Sequence, residues 1–370
     1  MNPEEDSRIV MTLDAGGTNF KFSAIRGNKA AVDSFSVPSN AHDLDACLGT
    51  LVDGFKRVRE ALPEAPVAIS FAFPGPCNYP QGIIGDLHNL PCFRGGIALG
   101  PMLEEIFGIP VFINNDGDLF VYGEAIAGLL PHVNKQLENA GSPKRYKNLF
   151  GVTLGTGFGG GITRDGQLFG GDNICAAEVW ILSNKLNPGM PAEEGACIRA
   201  VQKAYAEGAG ISIDEAPEPK DIFEIGNGKL EGNKEAAIAA FQRLGEVVGD
   251  AMGNALSLVD GLAVIGGGVS GAWPLFLPSI VDELNSNFHK PCGEPVRRLT
   301  QEAFNLEDPA QVSVFLKGDS REITVPGTDR TIKYDPMPRV GVGMSRLGTS
   351  EAVAIGAYAF ALQQLSNSKL

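Results

Sequence analysis

The sequence has no paired cysteines, few histidines, no long apolar run and a shortage of positive charge. Its six cysteines, Cys47, Cys77, Cys92, Cys175, Cys197 and Cys292, include no CxxC or CxC pair, and His42, His88, His132 and His289 are equally dispersed. In a long chain without a secretion signal this pattern reads as reduced thiols, and it excludes both a disulfide framework and an obvious clustered metal site. No stretch approaches the roughly 18 consecutive apolar residues that a membrane span requires. The polar, acidic N-terminus lacks the basic and apolar regions of a signal peptide. A soluble, cytoplasmic protein with no membrane partner is the expectation. Lys and Arg total 30 against 44 Asp and Glu, a formal net charge of −14. A surface that repels polyanions gains nothing from counterion release, so nucleic acid is not an expected partner.

What is present is an ordinary globular composition, 44% hydrophobic and 20% charged, in 370 residues, enough for two domains. Glycine is abundant, at 47 residues, and it gathers where hydrophobic runs end. Ile9 to Leu13 reads as a strand ending in Asp14-Ala-Gly-Gly-Thr-Asn19, with a returning strand from Phe20 to Ile25. Ala46 to Ala61 has helical spacing, Val67 to Phe73 reads as a strand, and the loop Pro74-Gly-Pro76 follows. The strand Pro110 to Ile113 ends in Asn114-Asn-Asp-Gly-Asp118, before a helix expected from about Leu119 to Leu129. Polar Pro131 to Lys147 reads as an insertion or inter-domain connection.

The second half repeats the grammar. Leu149 to Leu154 is a strand, Gly155-Thr-Gly-Phe-Gly-Gly-Gly161 a turn, and Ile162 to Arg164 a returning strand. Ile238 to Leu258 has the periodicity of a long helix leading to the buried strand Gly261 to Ile265, which ends in Gly266-Gly-Gly268. Glu351 to Leu365 reads as a final helix. Strand, glycine turn, strand occurs twice, and two α/β lobes of duplicated topology are the simplest architecture that accommodates it. Between about 291 and 346, Val312 to Leu316, Arg321 to Val325 and Arg330 to Lys333 read as short antiparallel strands of a β insertion.

The chemistry follows from these turns. Glycine backbone lets amide N–H groups converge on anionic oxygens, and a neighbouring hydroxyl adds a donor. Gly16, Gly17 and Thr18 have that make-up, as do Gly155, Thr156 and Gly157. Asp14 beside such a cradle suits a divalent cation held between carboxylate and phosphate, although an Asp capping its own turn would look the same. Asp116, after an apolar strand, can accept a hydroxyl proton in line with a γ-phosphate, with Asn115 beside it for neighbouring hydroxyls. Taken alone, Asn-Asp-Gly-Asp would also serve as a surface turn. Gly266, Gly267 and Gly268 leave a flat backbone on which a purine ring can lie, or a tight approach to a following helix.

Together these residues resemble the ROK family (repressors, open reading frames, kinases). Leu13-Asp-Ala-Gly-Gly-Thr18 looks like its first phosphate motif, Asn115-Asp116 its catalytic motif, Gly155 to Gly161 its second phosphate motif and Val264-Ile-Gly-Gly-Gly268 its adenosine motif, with Gly356 also matching. The resemblance implies a two-lobed, actin-like (ribonuclease H-like) α/β fold with a cleft between lobes. It implies an N-terminal lobe of residues 1–128 completed by the helix 351–370, and a larger lobe of residues 129–350. It further implies transfer of the γ-phosphate of ATP to a hydroxyl of a hexose or N-acetylhexosamine, with Asp116 as base, Mg²⁺ at Asp14, and a homodimer. Gly75, Asn89, Asn115 and Glu178 match sugar-contacting positions. One departure stands out: the Gly-His that usually follows the glutamate is replaced by Val179-Trp-Ile181, and Glu194-Gly-Ala-Cys197 is only a remnant of the family's cysteine-rich segment. No zinc is therefore expected. Trp180 is expected to anchor the loop from a buried position in preference to stacking on a sugar.

The alternative from another class is a non-catalytic sugar sensor. With the first strand beginning at about Ile9, the DNA-binding module that the family's repressors carry is not expected. A chaperone or filament protein on the same fold would lack a use for Asn115 and Asp116.

Overall fold

The unbroken buried run Val10 to Leu13 makes a strand covered on both faces, and it lies at the middle of the first sheet. The computed structural model describes residues 3–75, 77–87 and 90–367, so Asn89 lies outside the described residues. These fall into two compact units, one of Met1–Gly128, Gly166–Ala176 and Leu347–Leu370, the other of Leu129–Asp165 and Ala177–Arg346.

The first unit opens with the hairpin β1 (Val10–Ala15) and β2 (Asn19–Arg26), then the short strands β3 (Lys29–Ala30) and β4 (Phe35–Pro38). Helix α1 (Leu44–Ala61) leads to β5 (Ala68–Ala72). A small sheet of β6 (Cys77–Asn78), β7 (Ile83–Ile84) and β8 (Ile97–Ala98) precedes α2 (Leu99–Phe107), β9 (Val111–Asn114) and α3 (Asp116–Ile126). The main sheet runs β3-β2-β1-β5-β9, with β1, β5 and β9 parallel and α1 and α2 as crossovers. Helix α1 starts where Asp43 accepts a hydrogen bond from the Ala46 N–H at 3.0 Å. Its buried face places Phe55 5.2 Å from Phe22 and 5.8 Å from Phe71, ring centre to ring centre.

The second unit begins with α4 (Leu129–Asn139) and the hairpin β10 (Leu149–Leu154) and β11 (Phe158–Arg164). After β12 (Gln167–Leu168), which lies in the Gly166–Ala176 segment of the first unit, come α5 (Ile198–Ala209), α6 (Pro219–Gly226), α7 (Lys234–Val259), β13 (Leu262–Gly266) and α8 (Trp273–Leu284). The hairpin β14 (Asn287–His289) and β15 (Pro295–Arg297), β16 (Glu302–Asn305), α9 (Pro309–Lys317), the hairpin β17 (Arg321–Thr324) and β18 (Thr331–Tyr334), and β19 (Arg339–Met344) complete it. Its sheet runs β11-β10-β13-β19-β16, with β10, β13, β19 and β16 parallel. Each unit thus pairs an antiparallel glycine-turn hairpin with parallel neighbours, which is the duplication the sequence predicts. The chain ends in α10 (Thr349–Asn367), which belongs to the first unit.

Three expectations need correction. Val312 to Leu316 lies inside α9, because Asp308 accepts from the Ala310 N–H at 2.9 Å with Pro309 in the first turn, and this start signal outweighs the β-branched residues. The 291–346 stretch is not one separate β element: β16 and the fully buried β19 are strands of the main sheet of this unit, whereas β14-β15 and β17-β18 form two-stranded sheets of their own. Residues 131–139, the first half of Pro131 to Lys147, belong to α4, whose buried Leu129, Leu130, Val133 and Leu137 form a stripe that the surrounding polar residues obscure. In addition, Gly166–Ala176 groups with the first unit. There Asp172, Asn173 and Ile174 join Cys77, Asn78, Pro80, Ile83 and Gly85 around a cavity of about 590 Å³. No helix among the described residues is long and apolar enough to cross a membrane.

Candidate active site

Strand register assembles the first half of the site. Asp14 lies opposite Ala72, and Ala72 opposite Asn114, so β1, β5 and β9 end level with one another. Parallel strands are about 4.8 Å apart, and ligands of open α/β sheets gather at their carboxyl ends. Side by side there stand Asp14 with the turn Gly16-Gly-Thr18, the loop carrying Gly75, and Asn115 with Asp116. The first turn is closed by the Gly16 N–H donating to the Asn19 carbonyl at 3.1 Å and held from outside by Ser39, whose hydroxyl donates to the Gly17 carbonyl at 2.6 Å.

Asn115 is the N-cap of α3, its Oδ1 accepting from the Gly117 N–H at 2.8 Å, and Asp116 Oδ1 accepts from the same N–H at 2.9 Å. Asp116 keeps an exposed edge while protein crowds the rest of it, and the crowding acts on its charge. Loss of surrounding water pushes its carboxyl above the ordinary carboxylate range, the Gly117 hydrogen bond opposes the rise, and the neighbouring Asp14 carboxylate adds to it. Helix α3 is set in place by α10 through backbone contact. A side chain at Gly356 would overlap the Leu119 carbonyl, and one at Gly123 the Ala352 carbonyl. Tyr79 links the pieces: its hydroxyl donates to the Phe73 carbonyl at 3.1 Å, accepts from Asn115 Nδ2 at 3.4 Å, and would lie in tight contact, at 3.2 Å, with a Cβ added at Gly75. Burial pushes its phenol well above the usual range.

The second unit repeats the device. Thr153 of β10 lies opposite Gly266 of β13, so Gly155-Thr-Gly157 and Gly266-Gly-Gly268 are adjacent at the carboxyl ends of neighbouring strands. Gly267, at φ +95°, has no room for a side chain against the Leu154 backbone, and the Val269 N–H donates to the Leu154 carbonyl at 3.0 Å. The hydroxyl-bearing Thr156 is exposed. Glu193 steadies this turn, its Oε2 accepting from the Phe158 N–H at 3.1 Å, while the Ile198 N–H donates to the Gly155 carbonyl at 2.9 Å.

Glu178 is exposed on a short turn and accepts a hydrogen bond from the Trp180 indole N–H. Trp180 is 42% exposed, so it is not the buried anchor; Val179, 3% exposed, fills that role because the turn points its side chain inward. Among the described residues no three His, Cys, Asp or Glu side chains cluster as a metal ion would require. Burial pushes the Cys197 thiol up, away from the thiolate form a metal binds.

A family model described as the ROK family matches residues 10–311. The chain belongs to the ROK family. The crystal structure of a glucokinase from Parabacteroides distasonis ATCC 8503 is similar to this ROK chain with a TM-score of 0.89 and 55% identity, covering 98% of this chain and 99% of that one. In sequence, the N-acetylgalactosamine kinase AgaK of Shewanella sp. (strain ANA-3) is 26% identical over 70% of this chain and 81% of its own length. The glucokinase of Halalkalibacterium halodurans is 26% identical over 74% and 84% respectively.

Ser39, Tyr79 and Glu193 belong to the site but lie outside the sequence motifs. An aromatic residue inside a loop rich in proline and glycine was the one available signal for Tyr79. Nothing in the local sequence marks Ser39 or Glu193, which act from neighbouring segments.

Proposed function

We propose that this chain is an ATP-dependent sugar kinase that transfers the γ-phosphate of ATP to a hydroxyl of a hexose or N-acetylhexosamine. The observation that carries the reading is the position of Asp116: a carboxylate at the start of α3, level with Asp14 and the Gly75 loop, where nearby protein raises its pKa. A base with a raised pKa is a better proton acceptor, and phosphoryl transfer asks of the protein chiefly position and charge. Asp116 accepts the proton of the attacking hydroxyl, and Asn115, Gly75, Asn89 and Glu178 hold the sugar. Gly16, Gly17 and Thr18 with Gly155, Thr156 and Gly157 receive the phosphates, and Gly266 to Gly268 the adenine. The exposed carboxylate of Asp14, beside a phosphate turn, fits a Mg²⁺ ion, whose chemistry would be to neutralise phosphate charge. The names of the similar glucokinase and hexosamine kinase support the substrate class, ATP dependence supports a cytoplasmic location, and family membership supports a homodimer. The test is an ADP-release assay with Mg²⁺ over a panel of hexoses, N-acetylhexosamines and ketoses. Turnover with at least one sugar is expected. Sugar binding without turnover across the panel would favour a sensor and reject the kinase reading.

A further inference from the structure

Glu178 and Trp180 stand two residues apart on one turn, joined by the indole N–H donating to Glu178 Oε2. Both side chains are exposed. A single exposed apolar residue calls for no explanation, but this indole has a fixed partner and a fixed base. The turn is held from below by buried Val179 and within by the Val179 N–H donating to the Ala177 carbonyl at 2.7 Å and the Leu182 N–H to the Val179 carbonyl at 3.1 Å. Ala177 takes a left-handed conformation at φ +60° to start it. The turn lies flat on β11 because Gly160 has no side chain: a Cβ there would come within 2.7 Å of the Ala177 carbonyl oxygen and 3.0 Å of Val179. Strand β11 is the continuation of the Gly155–Gly157 turn, so Glu178 and Trp180 ride on the same hairpin as the second phosphate motif.

A carboxylate accepts hydrogen bonds from two neighbouring hydroxyls, and an indole offers a flat apolar face. A pyranose presents both complements, hydroxyls at its edge and C–H groups on its face. We propose that Trp180 is the positioning and selectivity residue of the sugar site: its N–H orients the Glu178 carboxylate, its ring receives the face of the sugar, and the pair selects a cyclic pyranose with adjacent free hydroxyls over an acyclic polyol. The inference rests on the reading of Glu178 as a sugar ligand.

The test compares the full-length wild type with Trp180→Phe, Trp180→Ala and Glu178→Gln, reading sugar KM, ATP KM and tryptophan emission on sugar titration. Trp180→Phe keeps an aromatic face and loses the donor, so sugar KM should rise about tenfold, the scale of one hydrogen bond to a charged group. Trp180→Ala loses the face as well and should raise sugar KM by about a further tenfold. ATP KM should stay at the wild-type value in both, which separates the effect from misfolding. Sugar should shift the emission of the wild type and leave that of Trp180→Phe, which retains only Trp273, unchanged. A raised sugar KM in Glu178→Gln with a wild-type value in Trp180→Phe would overturn this inference alone. Wild-type sugar KM in Glu178→Gln would overturn it together with the role given to Glu178.

Discussion

The same substitution, glycine to alanine in the interior of a helix, should have opposite signs at two positions of this chain. Gly49 is exposed in α1, and an added Cβ would meet no atom within 4 Å, so Gly49→Ala keeps only the gain in helix propensity, about 1 kcal/mol. Gly356 gains the same term in α10, but its Cβ would overlap the Leu119 carbonyl. A carbonyl has no rotamer through which to escape, so α3 and α10 must separate by roughly 1 Å in a close-packed interior. Overpacking of this kind costs about 3 kcal/mol at the upper end of the usual range, leaving a net loss of about 2 kcal/mol. Urea unfolding followed by circular dichroism should place the Gly49→Ala midpoint above the wild type and the Gly356→Ala midpoint below it. Because α3 begins at Asp116, Gly356→Ala should also lower kcat, whereas Gly49→Ala should leave it unchanged. Midpoints moving in the same direction would refute the claim that backbone contact between α3 and α10 sets the position of the base.

Further expectations follow from the site. Only ionised Asp116 accepts a proton, so the acid limb of the kcat/KM profile, which reports the free enzyme, should lie above the pH near 3.9 expected of an ordinary aspartate, with activity present above the limb and lost as pH falls through it. A carboxyl whose folded pKa is raised weakens the folded state as pH rises past its unfolded value, so Asp116→Asn should unfold at higher urea than the wild type at neutral pH. Tyr79→Phe removes the hydroxyl shared by Phe73 and Asn115, costs about 1 kcal/mol in stability, and should raise sugar KM with little effect on ATP KM. Glu193→Gln weakens the acceptor for the Phe158 N–H and should do the reverse, raising ATP KM several-fold with sugar KM unchanged.

Much of this organisation was legible because it is local. The two strand–glycine–strand hairpins, the strand ending at Asn114 and the glycines after Ile265 are each written in consecutive residues, and their order implied the duplicated topology. What escaped depends on contacts across the sequence. Residues 312–316 have the composition of a strand and become a helix through the cap at Asp308. Helix α4 is mostly polar, and its core stripe is visible only once it has something to pack against. The exposure of Trp180 could not be read from a residue type that is more often buried; it follows from Val179 turning inward beneath it. Ser39 and Glu193 brace turns they do not adjoin in sequence, and such second partners leave no local trace.

The central claim, that Asp116 is the base of a sugar kinase, is tested most directly by measuring sugar-dependent ADP release for the wild type and Asp116→Asn side by side, with calorimetric sugar binding as the companion measurement. The account predicts release by the wild type only when sugar is present, a fall in kcat of at least about 10²-fold in the variant, and retained sugar binding. Equal kcat for the two proteins would contradict it.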